Sequence, residues 1–396
     1  MRILHTVEFY SPGVGGAQEV VKQVSEQLVK RGHAVTVATT KLAKRTSHTV
    51  NGVQIEEFDV AGNAVGGFRG ETARYQQFLI DSHFDVMMNY AAQQWATDLV
   101  FPVLDRITYP RVMAPCGFSG LHNTQYTSYF TRLPDILRRY NHLIFHSNSY
   151  RDIEFARQHG LTHCTVIPNG ASEEEFNHVD STFRFRHRIP EDVPLLLTVG
   201  SHTGLKGHRL AMAAFRRARI GQAFLIIIGN ILGGKGCLPD CKRRALWVKL
   251  NSWGRKHVLL LNPPRPDVVA AYHTADLFVF GSNIECSPLV LFEAMASKTP
   301  FATVGCGNAE EIVDWSHGGV LVSTNQRPDG MVDAEPEAMA RAIEDLILNP
   351  DQRRHLAESG YRAWLKRFTW ERIAAEYERL YKSILSMDDR KQNAST

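Results

Sequence analysis

Two glutamates in the run Glu285-Cys-Ser-Pro-Leu-Val-Leu-Phe-Glu293 have a spacing that could frame a ligand at a helix start. Pro288 favours the first position of a helix, so we predict a helix that continues from Leu289. The free N–H groups of Leu289 and Val290 would then offer an anion site suited to a diphosphate. The carboxylates would hold sugar or ribose hydroxyls, because they would repel phosphate. From spacing alone, a capping carboxylate and an ordinary helix glutamate are an equal alternative.

A second loop, Gly200-Ser201-His-Thr-Gly-Leu-Lys206-Gly207, stands between a predicted strand and a predicted helix. Glycine-flanked loops at a helix start cradle phosphates, and Lys206 adds a positive charge. The loop is not a Walker A motif, because the spacing and the Lys-Ser/Thr pair of that motif are missing. A tight turn that carries a surface lysine is an equal alternative.

A third loop, Ser11-Pro-Gly-Val-Gly15-Gly16, follows the first predicted strand. Gln18 stands where the dinucleotide-binding fingerprint has its third glycine, so the loop does not favour a dehydrogenase. The small residues Gly15 and Gly16 would let a ligand approach the backbone closely. The alternative is a flexible turn before a helix.

Short apolar runs alternate with helical stretches through both halves of the chain. Because such alternation requires crossover connections, we predict an α/β fold with mostly parallel sheets, whose ligands bind at the carboxyl ends of the strands. The turn Pro168-Asn-Gly170 and the polar segment 173–190 interrupt the pattern, which predicts a domain boundary there. The tail from 351 to 387 is predicted to be helical throughout.

Composition is that of a globular chain, with 44% hydrophobic and 22% charged residues among 396. No apolar run approaches the roughly 18 residues that span a bilayer, and no signal-peptide pattern begins the sequence, so we expect a cytoplasmic protein. The net charge of +4 permits contact with the cytoplasmic face of an anionic membrane. No nucleic-acid-binding signature accompanies the basic residues.

Six scattered cysteines are too few for a disulfide framework and suit a reducing compartment. Cys237 and Cys241 are four positions apart, close to Gly233, Gly234 and Lys235. A zinc site normally needs four ligands, and the sequence shows no second pair. A loop-stabilising or incidental role is therefore favoured, and no metal site is predicted.

Taken in order, these segments resemble the GT-B glycosyltransferases, specifically the retaining family 4 (group 1) type, over nearly the whole chain. The glutamate pair has the family's spacing. The other matching segments are Val166-Ile-Pro-Asn-Gly170, Pro288-Leu-Val, Glu293-Ala-Met, Gly305-Cys-Gly-Asn-Ala-Glu-Glu-Ile312 and Phe368-Thr-Trp370.

This resemblance implies two Rossmann-like, doubly wound domains that face a cleft: an acceptor domain at 1–180 and a donor domain at 190–370. A C-terminal helix with a frayed tail at 371–396 would cross back to the first domain. The implied activity is a retaining, metal-independent hexosyl-type transfer in polysaccharide biosynthesis. The implied co-substrate is a UDP-, GDP- or dTDP-linked sugar, and the acceptor is a glycan or a lipid-linked saccharide.

The resemblance also implies roles for single residues. Lys206 would bind the diphosphate and Glu285 the donor sugar, and both count as catalytic. Glu293 would hold the ribose hydroxyls, while Gly15 and Gly16 would approach the phosphates. The implied donor-binding set is Gly15, Gly16, Ser201, Lys206, Glu285, Pro288, Leu289, Val290 and Glu293.

Two positions depart from the family pattern. Ser201 stands where many members have an arginine, so one phosphate contact is missing or comes from another group such as His202 or Arg209. Cys116 stands where many members have a histidine before a glycine. These departures motivate one alternative, a catalytically weak sugar-nucleotide-binding or scaffold protein. A sugar-nucleotide epimerase or a phosphorylase of the same GT-B fold is a further alternative.

Overall fold

The computed structural model describes residues 1–13, 15–230 and 236–393, with side chains described up to 387. The chain forms two compact units. Unit 1 contains Met1–Asn169 and Trp370–Thr396, and unit 2 contains Gly170–Thr369. The domain ranges expected from the sequence stay predictions.

Unit 1 is built from short strands that alternate with helices. Its strands are β1 (Arg2–Thr6), β2 (Ala34–Thr40), β3 (Thr49–Val50), β4 (Val53–Phe58), β5 (Val60–Asn63), β6 (Gly67–Gly70), β7 (Val86–Tyr90), β8 (Arg111–Ala114), β9 (His142–Phe145) and β10 (Cys164–Val166). Its first helices are α1 (Gly16–Lys30), α2 (Thr72–Asp81), α3 (Trp95–Asp98), α4 (Thr127–Leu137) and α5 (Arg151–Gln158), with 3₁₀ turns at Phe101–Arg106 and Thr124–Tyr126.

The main sheet of unit 1 has the order β10-β9-β8-β7-β1-β2-β4-β3, and β5 pairs with β6 in a separate hairpin. The pairings are parallel except for the antiparallel edge strand β3. The strand order reverses direction beside β1, between β1 and β7. The loop that holds Gly15 and Gly16 therefore leaves the sheet at its switch point, where α/β sheets bind ligands.

Unit 2 repeats this architecture. Its strands are β11 (Leu195–Val199), β12 (Ala223–Ile228), β13 (Lys256–Leu261), β14 (Leu277–Phe280), β15 (Phe301–Val304), β16 (Gly319–Val322), β17 (Asn325–Gln326) and β18 (Val332–Asp333). Its helices are α6 (Glu173–Phe176), α7 (Phe183–Arg186), α8 (His208–Arg217), α9 (Leu238–Asn251), α10 (Arg265–Thr274), α11 (Leu289–Ala296), α12 (Ala309–Ser316), α13 (Pro336–Leu348) and α14 (Pro350–Ala363).

The sheet of unit 2 is parallel throughout, in the order β13-β12-β11-β14-β15-β16. Its inner strands are largely apolar, and each residue of β12, β14 and β15 is buried. Helices on both faces require this pattern, because neither face of such a sheet meets water. The order reverses between β11 and β14, so the loops after these two strands form the switch point.

The C-terminal tail is not helical throughout, contrary to the expectation for 351–387. After α14 a π-helical turn, Trp364–Phe368, leads to Thr369, which is extended and bridges to Ala171. The indole of Trp364 donates to the carbonyl of Ala171 over 3.2 Å, and these contacts hold the break in place. The next helix, α15 (Trp370–Asn393), belongs to unit 1, where it packs against α1.

Candidate functional site

Two loops meet at the switch point of unit 2, one after β11 and one after β14. The amide of Asn283 donates to the carbonyl of Leu205 over 2.9 Å, and the hydroxyl oxygen of Ser282 lies 3.1 Å from the same carbonyl oxygen. Gly207 has a φ of +70°, and a Cβ there would lie 2.1 Å from backbone atoms of Gly281. A glycine at 207 is therefore what allows the two loops to touch.

Lys206 and Glu285 form the polar centre of this site. The ammonium Nζ of Lys206 lies 2.6 Å from Oε1 of Glu285, which also accepts a 3.0 Å hydrogen bond from Ser282. The side chains of Lys206 and Glu285 are 31% and 19% exposed to solvent. The structure thus brings together a cation and a carboxylate that the sequence places 79 positions apart, and a ligand can reach both.

Helix α11 begins directly beyond this ion pair. The sequence predicted Pro288 at the first position of the helix. In the structure Pro288 precedes the helix in an extended conformation and is its N-cap residue. Within the described part of the chain, the amides of Leu289 and Val290 have no hydrogen-bond acceptor. Free N–H groups at the positive end of a helix can accept an anion.

The loop after β15 supports the Glu285 segment from the other side. Gly307 has a φ of +62°, and a Cβ there would lie 2.5 Å from the carbonyl oxygen of Cys286. The amide of Asn308 donates to the same carbonyl over 2.9 Å. This segment, 305–312, therefore positions the loop that carries Glu285.

Glu293 lies in the second turn of α11 and is paired with an arginine that sequence reasoning missed. Its Oε1 is 2.6 Å from Nη2 of Arg265, which also binds Oε2 of Glu175 at 2.6 Å. The side chain of Glu293 is only 9% exposed. Burial, reinforced by the charge of Glu293, holds the pKa of the neighbouring Tyr272 well above its usual value.

The two groups considered as substitutes for the absent arginine at Ser201 have other partners. His202 is buried, and its Nδ1 lies 3.5 Å from Sγ of Cys237. The guanidinium of Arg209 binds Oδ2 of Asp240 at 2.9 Å. Neither side chain is held ready for a ligand at the Lys206 loop.

The expectation that Cys237 and Cys241 lack a second pair of ligand groups is wrong. His202 and His208 lie against them, because the loops after β11 and β12 leave neighbouring parallel strands at the same edge of the sheet. The adjacent residues Gly233, Gly234 and Lys235 lie outside the described part of the chain.

In unit 1, Gly15 caps α1 and Gly16 is its first residue. A Cβ added to Gly16 would meet no described atom within 4 Å, so internal packing does not require a glycine there. Cys116 adopts a positive φ of 58° in the loop after β8. The amide of Gly117 donates to the buried carboxylate of Asp152 over 2.8 Å, and burial raises the pKa of Asp152 to about 6.

None of the helices in the described ranges combines the length and the apolar character needed to cross a membrane.

Comparisons with known proteins agree with this architecture. Residues 179–363 match the model of the family described as Glycosyl transferases group 1. A D-inositol 3-phosphate glycosyltransferase from Corynebacterium urealyticum is 32% identical over 60% of this chain and 55% of that protein, so the chain spans about half the length of this curated relative. An N-acetyl-alpha-D-glucosaminyl L-malate synthase from Bacillus anthracis is 23% identical over 95% of this chain and 96% of that protein.

Among solved structures, HepE from Anabaena in complex with UDP superposes with a TM-score of 0.75 at 17% identity, covering 97% of this chain and 100% of that chain. The same protein has also been solved with UDP-glucose. Similarity at this identity shows the fold, which is the GT-B fold built from Rossmann-like α/β units. Residues 179–363 are therefore similar to the group 1 glycosyl transferases.

Proposed function

We propose that this chain transfers a sugar from a nucleotide-sugar donor to a glycan, a lipid-linked saccharide or a similar acceptor, with retention of the anomeric configuration. The observation that carries the proposal is the 2.6 Å contact between Lys206 and Glu285 beside the start of α11. A cation and two free amides there suit a diphosphate, and a carboxylate next to them suits sugar hydroxyls. The solved complexes of HepE with UDP and UDP-glucose support a nucleotide-sugar donor.

Lys206 and the amides of Leu289 and Val290 would act on the leaving group. As the bond between the sugar and the diphosphate breaks, negative charge develops on the phosphate oxygens. Fixed donors that stabilise this charge lower the barrier directly. In the donor complex Lys206 would turn from Glu285 to the diphosphate, and Glu285 would accept hydrogen bonds from the sugar.

Glu293 would hold the ribose hydroxyls of the donor. Arg265 neutralises the largely buried carboxylate and fixes its position, since it binds Glu293 and Glu175 at once. A carboxylate has about four lone-pair sites, so the Arg265 contact leaves acceptor capacity for hydroxyls. Pro288 and Ser201 would line the same donor position.

Retention would follow if the acceptor hydroxyl attacks the face of the sugar that the diphosphate leaves. This route needs no pair of catalytic carboxylates of the hydrolase kind. It also needs no metal ion at the diphosphate, because the lysine and the helix amides supply the positive charge. Contact with an anionic membrane surface remains part of the proposal for lipid-linked acceptors.

The test is a transfer assay with UDP-, GDP- and dTDP-linked sugars against a panel of acceptors. The panel includes glycans, lipid-linked saccharides and the inositol phosphate and malate named in the two relatives. We expect a product that keeps the anomeric configuration of the donor by NMR, with turnover unchanged on adding Mg²⁺ or Mn²⁺. A product of inverted configuration would contradict the mechanism.

A catalytically weak sugar-nucleotide-binding protein is the second candidate. The observation that favours it is the engagement of His202 and Arg209 elsewhere, which leaves Ser201 without a cationic substitute. In the same assay this candidate predicts donor binding with slow donor hydrolysis and no transfer. An epimerase would instead convert the donor sugar without any acceptor.

A further inference from the structure

Four side chains of metal-binding type converge in unit 2 beside the Lys206 loop. His202 lies in the connection between β11 and α8, His208 is the first residue of α8, and Cys237 and Cys241 lie at the start of α9. One ligand atom from each residue lies within 4.8 Å of the other three. The two histidines and Cys241 are buried, and Cys237 is half-buried.

Four of the six distances within this cluster are close to those of a tetrahedral site. Zinc bonds of about 2.3 Å to sulfur and about 2.0–2.1 Å to nitrogen place two sulfurs about 3.8 Å apart and a sulfur and a nitrogen about 3.6 Å apart. The Sγ atoms of Cys237 and Cys241 are 3.7 Å apart. Sγ of Cys237 lies 3.5 Å from Nδ1 of His202 and 3.6 Å from Nδ1 of His208, and Sγ of Cys241 lies 3.9 Å from the latter.

Weak hydrogen bonds to sulfur are the alternative account of this arrangement. A thiol has a single proton, so Cys237 would donate to one histidine and would have to accept from the other histidine and from Cys241. The two imidazole rings stand 4.7 Å apart at 72°, and their Nδ1 atoms point toward the same sulfur. One central cation accounts for all of these approaches together.

Backbone hydrogen bonds join His202 and the two cysteines. The amide of Cys237 donates to the carbonyl of His202 over 3.0 Å, and the amide of His202 donates to the carbonyl of Asn230 over 2.9 Å. Gly236 has a φ of +47°, and a Cβ there would lie 1.8 Å from the oxygen of His202. Cys241 follows Cys237 by one helical turn, so both sulfurs lie on the same side of α9.

We propose that His202, His208, Cys237 and Cys241 bind one zinc ion in a closed structural site. Two thiolates and two imidazoles are a donor set that zinc prefers, and four protein ligands leave no open position for catalysis. Binding of Zn²⁺ converts two thiols to thiolates and releases two protons to solvent. This site is separate from the proposed diphosphate position, which uses Lys206.

The proposed ion would stabilise the loop that carries Lys206. His202 and His208 stand on either side of Lys206 in the chain, and the ion would fix both to the start of α9. The loop between them would then keep its conformation with or without a donor. Zinc is expected to affect the stability of unit 2 directly and sugar transfer only through the position of Lys206.

The first experiment measures metal in the full chain, purified without an affinity histidine tag and under reducing conditions. Elemental mass spectrometry should find one zinc ion per chain. Cys241→Ser and His208→Asn should each reduce the zinc content to background, while the control Cys164→Ser, at a cysteine of unit 1, should retain it. Reloading the metal-free protein with Zn²⁺ should raise its thermal unfolding midpoint.

The second experiment uses Co²⁺ on the unmutated chain, so that it does not depend on variants that fold. Metal-free protein should gain the strong visible bands of tetrahedral cobalt and a thiolate-to-cobalt charge-transfer band, and added Zn²⁺ should abolish both. Reduced protein that binds neither Zn²⁺ nor Co²⁺ would overturn the proposal. So would a cobalt spectrum without thiolate bands, or a zinc content that is unchanged in both Cys241→Ser and His208→Asn.

Discussion

At the scale of single residues, the ion pair between Lys206 and Glu285 is the centre of the proposed donor site. Both side chains stay partly exposed, so solvent screening makes the pair a small contributor to folding stability. Its value lies in placing a positive charge next to free helix amides. We therefore expect substitutions here to affect transfer much more than they affect stability.

Lys206→Ala should lower kcat/KM for sugar transfer by about 100-fold or more, because removing one fixed donor to a developing charge costs on that order. Steady-state kinetics measure the effect. Lys298→Ala is the matched control, since Lys298 forms a 3.1 Å pair with Glu358 in the same unit and has no role in the proposed site. Equal kinetics for the two variants would remove Lys206 from the mechanism.

Asp98 predicts a pH dependence of stability in unit 1. Burial raises its pKa to about 6, against hydrogen bonds from the amides of Ala64 and Gln93 and from the hydroxyl of Tyr129. Between about pH 4 and pH 6, Asp98 is therefore protonated in the folded state and ionised in the unfolded state. This contribution to stability is fully present below the unfolded pKa and is lost as the pH rises through 6.

The free energy of unfolding of the wild type, measured relative to Asp98→Asn, should consequently fall by up to about 3 kcal/mol between pH 4 and pH 7. Denaturant unfolding at a series of pH values gives this difference. Asp135→Asn changes an aspartate that is 85% exposed and should track the wild type across the range. A constant difference between wild type and Asp98→Asn would show that the carboxyl is already ionised at pH 4.

Single residues were predicted from the sequence when a short segment carries them and missed when distant segments supply them. The glutamate pair and the lysine loop can each be recognised from their spacing within one short segment. Arg265, which holds Glu293, has no local signal, because only the tertiary fold brings these two side chains together. His202 and His208 were assigned no role with the cysteines, since β11 and β12 had not been recognised as neighbours.

At the scale of elements, one carboxylate with several partners connects α15 to the rest of unit 1. Glu378 binds Arg31 at 2.6 Å, His33 at 3.0 Å and Lys382 at 2.6 Å. These partners, Lys382 first, lower the pKa of Glu378 to about 2. The ring of His5, hydrogen bonded to the hydroxyl of Tyr381 at 3.1 Å, adds a buried contact between β1 and α15.

Glu378→Gln should destabilise unit 1 by about 1–3 kcal/mol, because Arg31 and His33 lose their charged acceptor. Denaturant unfolding at neutral pH measures the loss. The matched control is Glu56→Gln, which removes an exposed pair with Arg74 and should cost less than about 1 kcal/mol. The deficit of Glu378→Gln should shrink as the pH falls from about 4.5 to 2, where the native carboxylate is itself protonated.

Most strands and longer helices coincide with short apolar runs and with stretches of helical periodicity in the sequence. The periodic signal failed where tertiary contacts determine the conformation. The break at Thr369 depends on its bridge to Ala171, nearly 200 positions away. The hairpin of β5 and β6 and the short helices α6 and α7 are too brief for periodicity to reveal.

At the scale of the whole molecule, two parallel sheets each reverse their strand order beside their first strand. The fold class was predictable, because alternating strands and helices have few right-handed solutions. The identity of the acceptor was not predictable, since it depends on the side chains and shapes of unit 1 loops. What the sheet of unit 2 does settle is that the Lys206 and Glu285 loops meet at one switch point.

Calorimetric titration of UDP, GDP and dTDP tests the central claim, that this switch point is the donor site. The wild type should bind at least one of these nucleotides with a stoichiometry of one. Lys206→Ala and Glu293→Gln should each weaken that binding by about tenfold or more, since a charged hydrogen bond contributes about 1.5–3 kcal/mol, whereas Lys298→Ala should not. Binding that is unchanged in both site variants, or the absence of binding by the folded wild type, would contradict the account.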